Sequence, residues 1–340
     1  MQRMPDARGP ISELLFERWQ GPPDSPRAAV PVSRPSAALG DEDLQLALYC
    51  CYELHYGGLP GVDERWEWDP WLLELRAGLE AVFERALLAE LGAPSGSAAP
   101  EEMDLALRAI ADADDGPSLS RHIEHHAGVD QMIEFLVHRS AYQLKEADPH
   151  SWALPRLSGP PKAALVEIQA DEYGGGRPER IHATMFARSM DALGLDSSSG
   201  AYLDAIPAAT LATVNLMSML GLHRRWRGAI VGHLALFEMT SSIPNRRYAA
   251  GLRRLGFGEG ATAFFDEHVT ADAVHENIAA VDLAGGLARQ DPGLGPTILW
   301  GARALSALDR MWARHVLESW ELGRSSLRAP VGALALQRFP

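Results

Sequence analysis

The chain has 340 residues, and 46% of them are hydrophobic, which is enough for a packed core in one large or two small domains. The formal net charge is −14, from 45 acidic and 31 basic residues; this argues against non-specific attraction to nucleic acid or anionic lipid and favours a small-molecule partner. Cys50 and Cys51 are adjacent and hard to pair with each other, and neither a signal-peptide segment nor an apolar run of about 18 residues occurs, so we expect a cytoplasmic protein without disulfides or membrane spans.

The first part of the chain predicts a leader followed by a small helical extension. Residues 1–38 are rich in proline around one apolar patch, Ile11–Trp19, and indicate a flexible leader. A helix is predicted from Asp41, and a second one from the Asp69-Pro70 cap to Gly92. With a third helix at 101–113 these form an N-terminal helical extension over 39–113, whose apolar stripes also permit a homodimer.

The remaining chain is predicted to be helical throughout. The helical spans follow from apolar periodicity and lie at 119–145, 162–172, 178–193, 202–221, 223–240, 261–290 and 296–322. No run of alternating β-branched residues and no Asn-Gly hairpin occurs, so the predicted fold class is all-α. We predict a main domain at 114–325 and a C-terminal tail at 326–340.

The segment His268-x3-Asp272-x2-His275 is the sharpest local signal for chemistry. On a helix, positions i, i+4 and i+7 fall within about 60° of arc, so two imidazoles and a carboxylate leave one face. These ligands suit Fe, Mn or Zn, while the absence of nearby cysteine excludes a thiolate site. A solvated polar face with two incidental histidines explains the spacing about equally well.

Further candidate ligands lie on other predicted helices. Glu238 is flanked by large apolar residues, where an unpaired carboxylate is costly to bury. Glu172 precedes three glycines, and His182 follows ten residues later at the restart of a helix. Glu146, next to Lys145 at a helix end, has the weakest local case, since such a residue is usually solvated.

The ordered set of these residues resembles the heme-oxygenase-like diiron oxidases and oxygenases. The run Glu146, Glu172, His182, Glu238, His268, Asp272, His275 follows that family's order of ligands, over roughly residues 40–322. The segments His138–His150 and Ala170–Gly174, and the presence of Glu146, are similar to the N-oxygenating branch. The resemblance implies a heme-oxygenase-like bundle of about seven core helices, in which these residues bind two iron ions.

Charge counting supports two metals independently, because four carboxylates neutralise two Fe(II) ions and three imidazoles complete the set. The resemblance implies O2 activation through a peroxo-bridged diferric intermediate, with an external electron donor and with N-hydroxylation or further oxidation of a small, amino-acid-derived nitrogen compound, in natural-product biosynthesis. The alternatives are a diiron oxidase that cleaves C–C bonds or decarboxylates an amino or fatty acid, and a non-catalytic metal-binding scaffold. Substrate-binding residues are not assigned.

Other polar clusters give weaker signals. Glu179-x-x-His182 matches half of a ferritin-like site, but no convincing second Glu-x-x-His unit appears. The group His122, His125 and His126 cannot face one way on a helix, which favours a solvated surface. The glycines at 174–176 follow no predicted strand and indicate no nucleotide site.

Overall fold

The computed structural model describes residues 4–23, 37–96, 98–329 and 331, and within these ranges it contains helices and turns but no strand. The α-helices are α1 (Pro10–Trp19), α2 (Glu42–Glu53), α3 (Pro70–Leu91), α4 (Met103–Asp112), α5 (Leu119–His125), α6 (Val129–Gln143), α7 (Asp148–Ser151), α8 (Gly159–Glu172), α9 (His182–Ala192), α10 (Ala208–Leu222), α11 (Arg227–Arg254), α12 (Glu259–Asn277), α13 (Gly286–Gln290) and α14 (Gly295–Glu321). The all-α prediction is confirmed. No helix in the described ranges is both long and apolar enough to cross a bilayer.

The cap predicted at Asp69 is confirmed, and Asp41, where the preceding helix was predicted to begin, also caps its helix. Asp41 accepts a hydrogen bond from the backbone N–H of Leu44, and Asp69 accepts from those of Trp71 and Leu72. Both cysteines are free and buried, as expected.

The N-terminal apolar patch is ordered as helix α1, which packs against α2. Asp43 accepts hydrogen bonds of 2.8 Å from the backbone N–H groups of Ile11 and Ser12, which are otherwise unpaired at the start of α1. Residues 1–3 and 24–36 of the predicted leader lie outside the described residues, as do 330 and 332–340 of the predicted tail. The domain boundaries stay a prediction.

The predicted helix 119–145 is wrong in one respect, because the chain forms two helices there. His126 is the C-cap of α5, with a non-helical φ of −125°, and Gly128 is the N-cap of the next helix, α6. Helix α6 ends at Gln143, so Glu146 lies on a turn and not on a helix.

Two other predicted boundaries are also wrong. Helix α10 begins at Ala208 and not at 202, because Pro207 takes the N-cap position, where its missing N–H costs nothing. Helix α11 does not end at 240 but continues through Pro244 to Arg254. Its packing along α12 and α14 outweighs the proline penalty.

The predicted helix 261–290 is one continuous helical run with a change of type inside it. Helix α12 passes into a π-helical segment, Ile278–Gly285, before α13. A π-helical segment places one extra residue in a turn and often lies next to a functional site. Here it begins three residues after His275.

Helix α11 is the centre of the bundle, and it crosses α14 at two glycines. A Cβ on Gly232 would lie 1.8 Å from the carbonyl oxygen of Ile298, and one on Gly301 would lie 1.9 Å from that of Ala229. The backbones therefore touch directly. This crossing fixes the position of the α11 segment that carries Glu238.

We expect Gly301→Ala to lower the free energy of unfolding by at least about 3 kcal/mol, because the added methyl group has to push two helix backbones apart. Thermal unfolding measures the effect. The matched control is Gly78→Ala in α3, where a Cβ meets nothing within 4 Å; it should stabilise the protein by about 0.5–1 kcal/mol. Equal melting temperatures for the two variants would contradict the close crossing.

Candidate metal centre

Six of the seven predicted ligands come together in the middle of the bundle. Their ligand atoms form two groups, and the atoms of each group lie within 4.8 Å of one another. The groups are Glu146, Glu172, His182 and His268, and Glu172, Glu238 and His275. Glu172 belongs to both. Asp272 lies on α12 between the two histidines, but its side chain lies outside the described residues.

The six side chains come from five parts of the chain, with Glu146 on the turn after α6. Glu172 is the last residue of α8, and His182 is the first residue of α9. Glu238 lies within α11, and the two remaining histidines lie on α12. The site therefore depends on the packing of the whole bundle.

The glycine loop between α8 and α9 brings His182 back to Glu172. Gly174 has a φ of +68°, and a Cβ there would lie 2.6 Å from the backbone carbon of Arg180. Only glycine combines this left-handed conformation with this close approach. The loop thus places the two ligands side by side, with His182 Nδ1 and Glu172 Oε2 2.9 Å apart.

The other pairs are close as well, and all six side chains are buried. His268 Nε2 lies 3.5 Å from Glu146 Oε2, and His275 Nδ1 lies 3.5 Å from Glu238 Oε2. His268 Nδ1 donates to the carbonyl oxygen of Phe264 at 2.8 Å. With that proton in place, the lone pair on Nε2 faces the carboxylates, which is the orientation a metal ligand needs.

Several buried polar atoms of the cluster make no well-aligned hydrogen bond in the described structure, even where an ion-pair partner is near. They are both carboxylate oxygens of Glu146, Oε2 of Glu172, and Nδ1 of His182 and of His275. Buried unpaired carboxylates and imidazoles cost free energy, and a bound cation removes that cost by taking their lone pairs. Carboxylate and imidazole donors without thiolate are compatible with iron. The residues present therefore fit an iron site.

The electrostatics of the cluster also favour a cation. Burial alone would raise the pKa of Glu172, but the neighbouring His182, His268 and His275 hold it below its ordinary value. Burial lowers the pKa of His275, but Glu238 and Asp171 outweigh this effect and raise it to about 9. The carboxylates thus attract a positive charge, and a metal ion competes with protons for that role.

Asp171 is a functional candidate that the sequence reasoning missed. Its Oδ2 lies 3.0 Å from Nε2 of His275, on the side of the ring away from Glu238. A carboxylate that accepts the second N–H of a ligand histidine fixes the ring orientation and raises the basicity of the other nitrogen. The side chain of Asp171 is 64% exposed. In the sequence it looks like an ordinary solvated acid, so no local signal marks its role.

We expect Asp171→Asn to weaken metal binding by about 10–100-fold, because the amide holds the His275 ring less firmly. Competition with a chromogenic chelator measures the affinity. The control is Glu167→Gln, an exposed acid one turn earlier on α8, which should leave the affinity unchanged. An equal loss in both variants would show a general charge effect and contradict the specific role of Asp171.

A cavity of about 230 Å³ opens next to the cluster, and Glu146 and His268 form part of its wall. The rest of the wall comes from α5 and the loop before it, and from α6, α11 and α14. The sequence reasoning assigned no residue to it. Its lining comes from helices far apart in the chain, so no local pattern could have revealed it.

The other polar clusters do not join this site. Glu179 is exposed on the turn before α9. His122 Nε2 pairs with Gln131 at 3.3 Å, and its ring packs against Trp320. The ring of His125 is 60% exposed. The ferritin-like alternative thus finds no support in the described residues.

Residues 133–310, more than half of the chain, match the family described as iron-containing redox enzymes, and the chain belongs to that family. All seven predicted ligands lie inside the matched part. The fold is the heme-oxygenase-like helical fold of that family, which confirms the predicted class.

A relative of known activity is also similar over part of its length. The chain is 30% identical over 137 residues to a nitrosourea synthase of Streptomyces achromogenes subsp. streptozoticus. The match spans 40% of this chain and 29% of the relative. It supports the predicted resemblance to the N-oxygenating branch.

Proposed function

We propose that this protein is an O2-dependent oxygenase that uses two iron ions and oxidises a nitrogen atom of a small substrate. The observation that most directly supports two metal ions is the position of Glu172, which belongs to both groups of ligand atoms. A carboxylate has two oxygens and can bind two cations at once. One cation could not use seven such ligands.

The charges are consistent with this stoichiometry. Glu146, Glu172 and Glu238 supply three negative charges within the described side chains. Asp272, predicted on the same face of α12 as the two histidines, supplies the fourth. Four carboxylates balance two Fe(II) ions, and that balance removes most of the cost of burying either set of charges.

Bound at this site, ferrous ions would supply electrons for the reduction of O2, and an external donor would replace those electrons between turnovers. The protein's own residues control what reaches the site. Tyr142 and Phe237 lie against the cluster, with their rings 5.7 Å apart and edge to face, and they limit the entry of water. Burial raises the pKa of Tyr142 well above its ordinary value, so the phenol keeps its proton beside the carboxylates.

Oxidation of nitrogen is the reaction that the similarity favours, because the relative named as a nitrosourea synthase makes a compound with oxidised nitrogen. The test is to supply the iron-loaded protein with a reductant, isotopically labelled O2 and a panel of amines, guanidines and aminoheterocycles. We expect at least one compound to gain a labelled oxygen on nitrogen. Clean C–C scission or decarboxylation, with no oxygen on nitrogen, would contradict the proposed reaction but not the iron site.

A further inference from the structure

The cavity beside the metal centre has features of a built recognition site. Its volume of about 230 Å³ suits a small molecule and not a polymer. Glu146 and His268 form part of its wall, so a ligand inside it lies next to the metal centre. Two polar side chains of α6, Arg139 and Gln143, also line the cavity.

Gln143 carries an acceptor that needs a donor. The residue is 5% exposed, and its Oε1 atom is buried with no hydrogen-bond partner in the described structure. Leaving a buried amide oxygen without a donor is unfavourable, so native proteins rarely keep one without a use. Because Gln143 lies three residues before Glu146 and faces the same cavity, an N–H group of a bound molecule can satisfy it.

Arg139 offers a positive charge that no ion pair uses. Its guanidinium stacks over the ring of Trp312 at 5.3 Å, but no carboxylate lies within 4.0 Å of it in the described structure. By contrast, Arg310 at the same cavity pairs with Asp114 and Asp115 at 3.7 and 3.3 Å. A guanidinium held by stacking is preorganised to bind a carboxylate with two parallel hydrogen bonds.

The two side chains are one helical turn apart on the same face of α6, with Cα atoms about 6 Å from each other. Asp309 also lines the cavity and couples electrostatically to Arg139, but at a distance beyond an ion pair. Asp309 reduces the positive potential around the guanidinium but leaves its N–H donors available to a ligand. In chain order the cavity wall thus presents a cation at Arg139, an acceptor at Gln143 and a candidate metal ligand at Glu146.

We propose that Arg139 and Gln143 are the substrate-positioning residues, and that the substrate carries a carboxylate and an N–H group far enough apart to reach both side chains at once. Arg139 holds the carboxylate. Gln143 accepts from the N–H and keeps the nitrogen beside Glu146. This inference rests on the proposed function only in placing the nitrogen at the metals; the binding itself needs neither O2 nor turnover.

The test measures the binding of simple probes to the full chain loaded anaerobically with Fe(II), using ligand-observed NMR. The probes are ε-aminocaproate, with both groups; caproate, with the carboxylate alone; hexylamine, with the nitrogen alone; and glycine, with the groups too close together. The variants are Arg139→Met and Gln143→Met, which keep side-chain length but remove the charge or the acceptor. Arg246→Met, an exposed arginine of α11, is the control.

The wild-type chain should bind ε-aminocaproate more tightly than the other three probes. We expect Arg139→Met to weaken the two caproates by about tenfold or more and to leave hexylamine unchanged. Gln143→Met should weaken ε-aminocaproate and hexylamine but not caproate, and Arg246→Met should change nothing.

The proposal is overturned if no probe binds the wild-type chain, or if the two cavity variants bind all probes as the wild type does. Fe(II) uptake is measured on the same samples and should be equal in all four chains. Normal uptake with no selective probe binding contradicts the positioning roles alone. Absence of uptake in the wild type contradicts the proposed function instead.

Discussion

Replacing Glu172 by alanine is expected to abolish the binding of both metal ions, whereas replacing Glu238 should remove only one. Glu172 contributes to both groups of ligand atoms, but Glu238 contributes to one. Loss of an outer partner of a metal ligand costs about 10–100-fold in affinity, so loss of a ligand shared by two ions should cost more than about 100-fold at each.

The comparison uses Fe(II) titrations of three variants under anaerobic conditions. Glu172→Ala should bind no iron at micromolar concentrations, and Glu238→Ala should retain one ion held by Glu146, His182 and His268 with Glu172. Glu179→Ala is the control, because Glu179 is exposed and lies outside both groups. If Glu172→Ala still binds two ions, or if Glu238→Ala loses both as readily, Glu172 is not the shared ligand.

A steep loss of stability below about pH 6.5 is the second large effect, and it comes from buried neutral histidines. Burial lowers the pKa of His138 to about 3 and that of His150 to about 4, and it lowers the pKa of His233 well below its ordinary value. His150 and His233 share a hydrogen bond of 3.1 Å, which only one of them can donate. His138 bonds to Thr210 and Ser326 inside the core.

The direction follows from proton counting. Between about pH 6.5 and pH 4 the unfolded chain binds protons at these histidines and the folded chain does not. The stability they contribute is therefore complete above pH 6.5 and is lost progressively as the pH falls toward their folded pKa values. Three protons give a slope of up to about 4 kcal/mol per pH unit.

Urea unfolding of the metal-free protein at a series of pH values measures this slope. His233→Phe should reduce it, because one titrating group is removed from the core. The control is His125→Gln, since the ring of His125 is exposed on the surface and lies outside the core. A stability that does not change between pH 7 and pH 5 would show that the buried histidines are already charged in the folded protein.

Local sequence patterns predicted much of the architecture. The helix cap at Asp69, apolar periodicity and the absence of strand signals were enough for the all-α class. The spacing of His268 and His275 placed both on one face of a helix, and the structure brings both to the cluster. These features depend on residues close together in the chain.

Features that arise from long-range packing could not be predicted from local sequence patterns. The path of α11 through Pro244 depends on α12 and α14, and the break at Gly128 depends on where α5 ends. Asp171 meets His275 only because α8 lies beside the end of α12. No periodicity encodes such an approach.

The cavity and the roles of its residues could not be predicted from the sequence either. Gln143 and Arg139 are ordinary polar residues of a helix by sequence, and Trp312 is an ordinary apolar one. Their joint role follows from an acceptor left unpaired in the folded chain and from a guanidinium without an ion pair. Both facts depend on what is absent around a side chain, which only the folded chain defines.

Whether this protein binds two irons that react with O2 is decided by one experiment. The metal-free protein is titrated anaerobically with Fe(II) and is then mixed rapidly with O2 while the visible absorption is followed. We expect two irons per chain and a transient absorption that forms only when both O2 and iron are present. One iron per chain, or two irons without any response to O2, would contradict the proposed function.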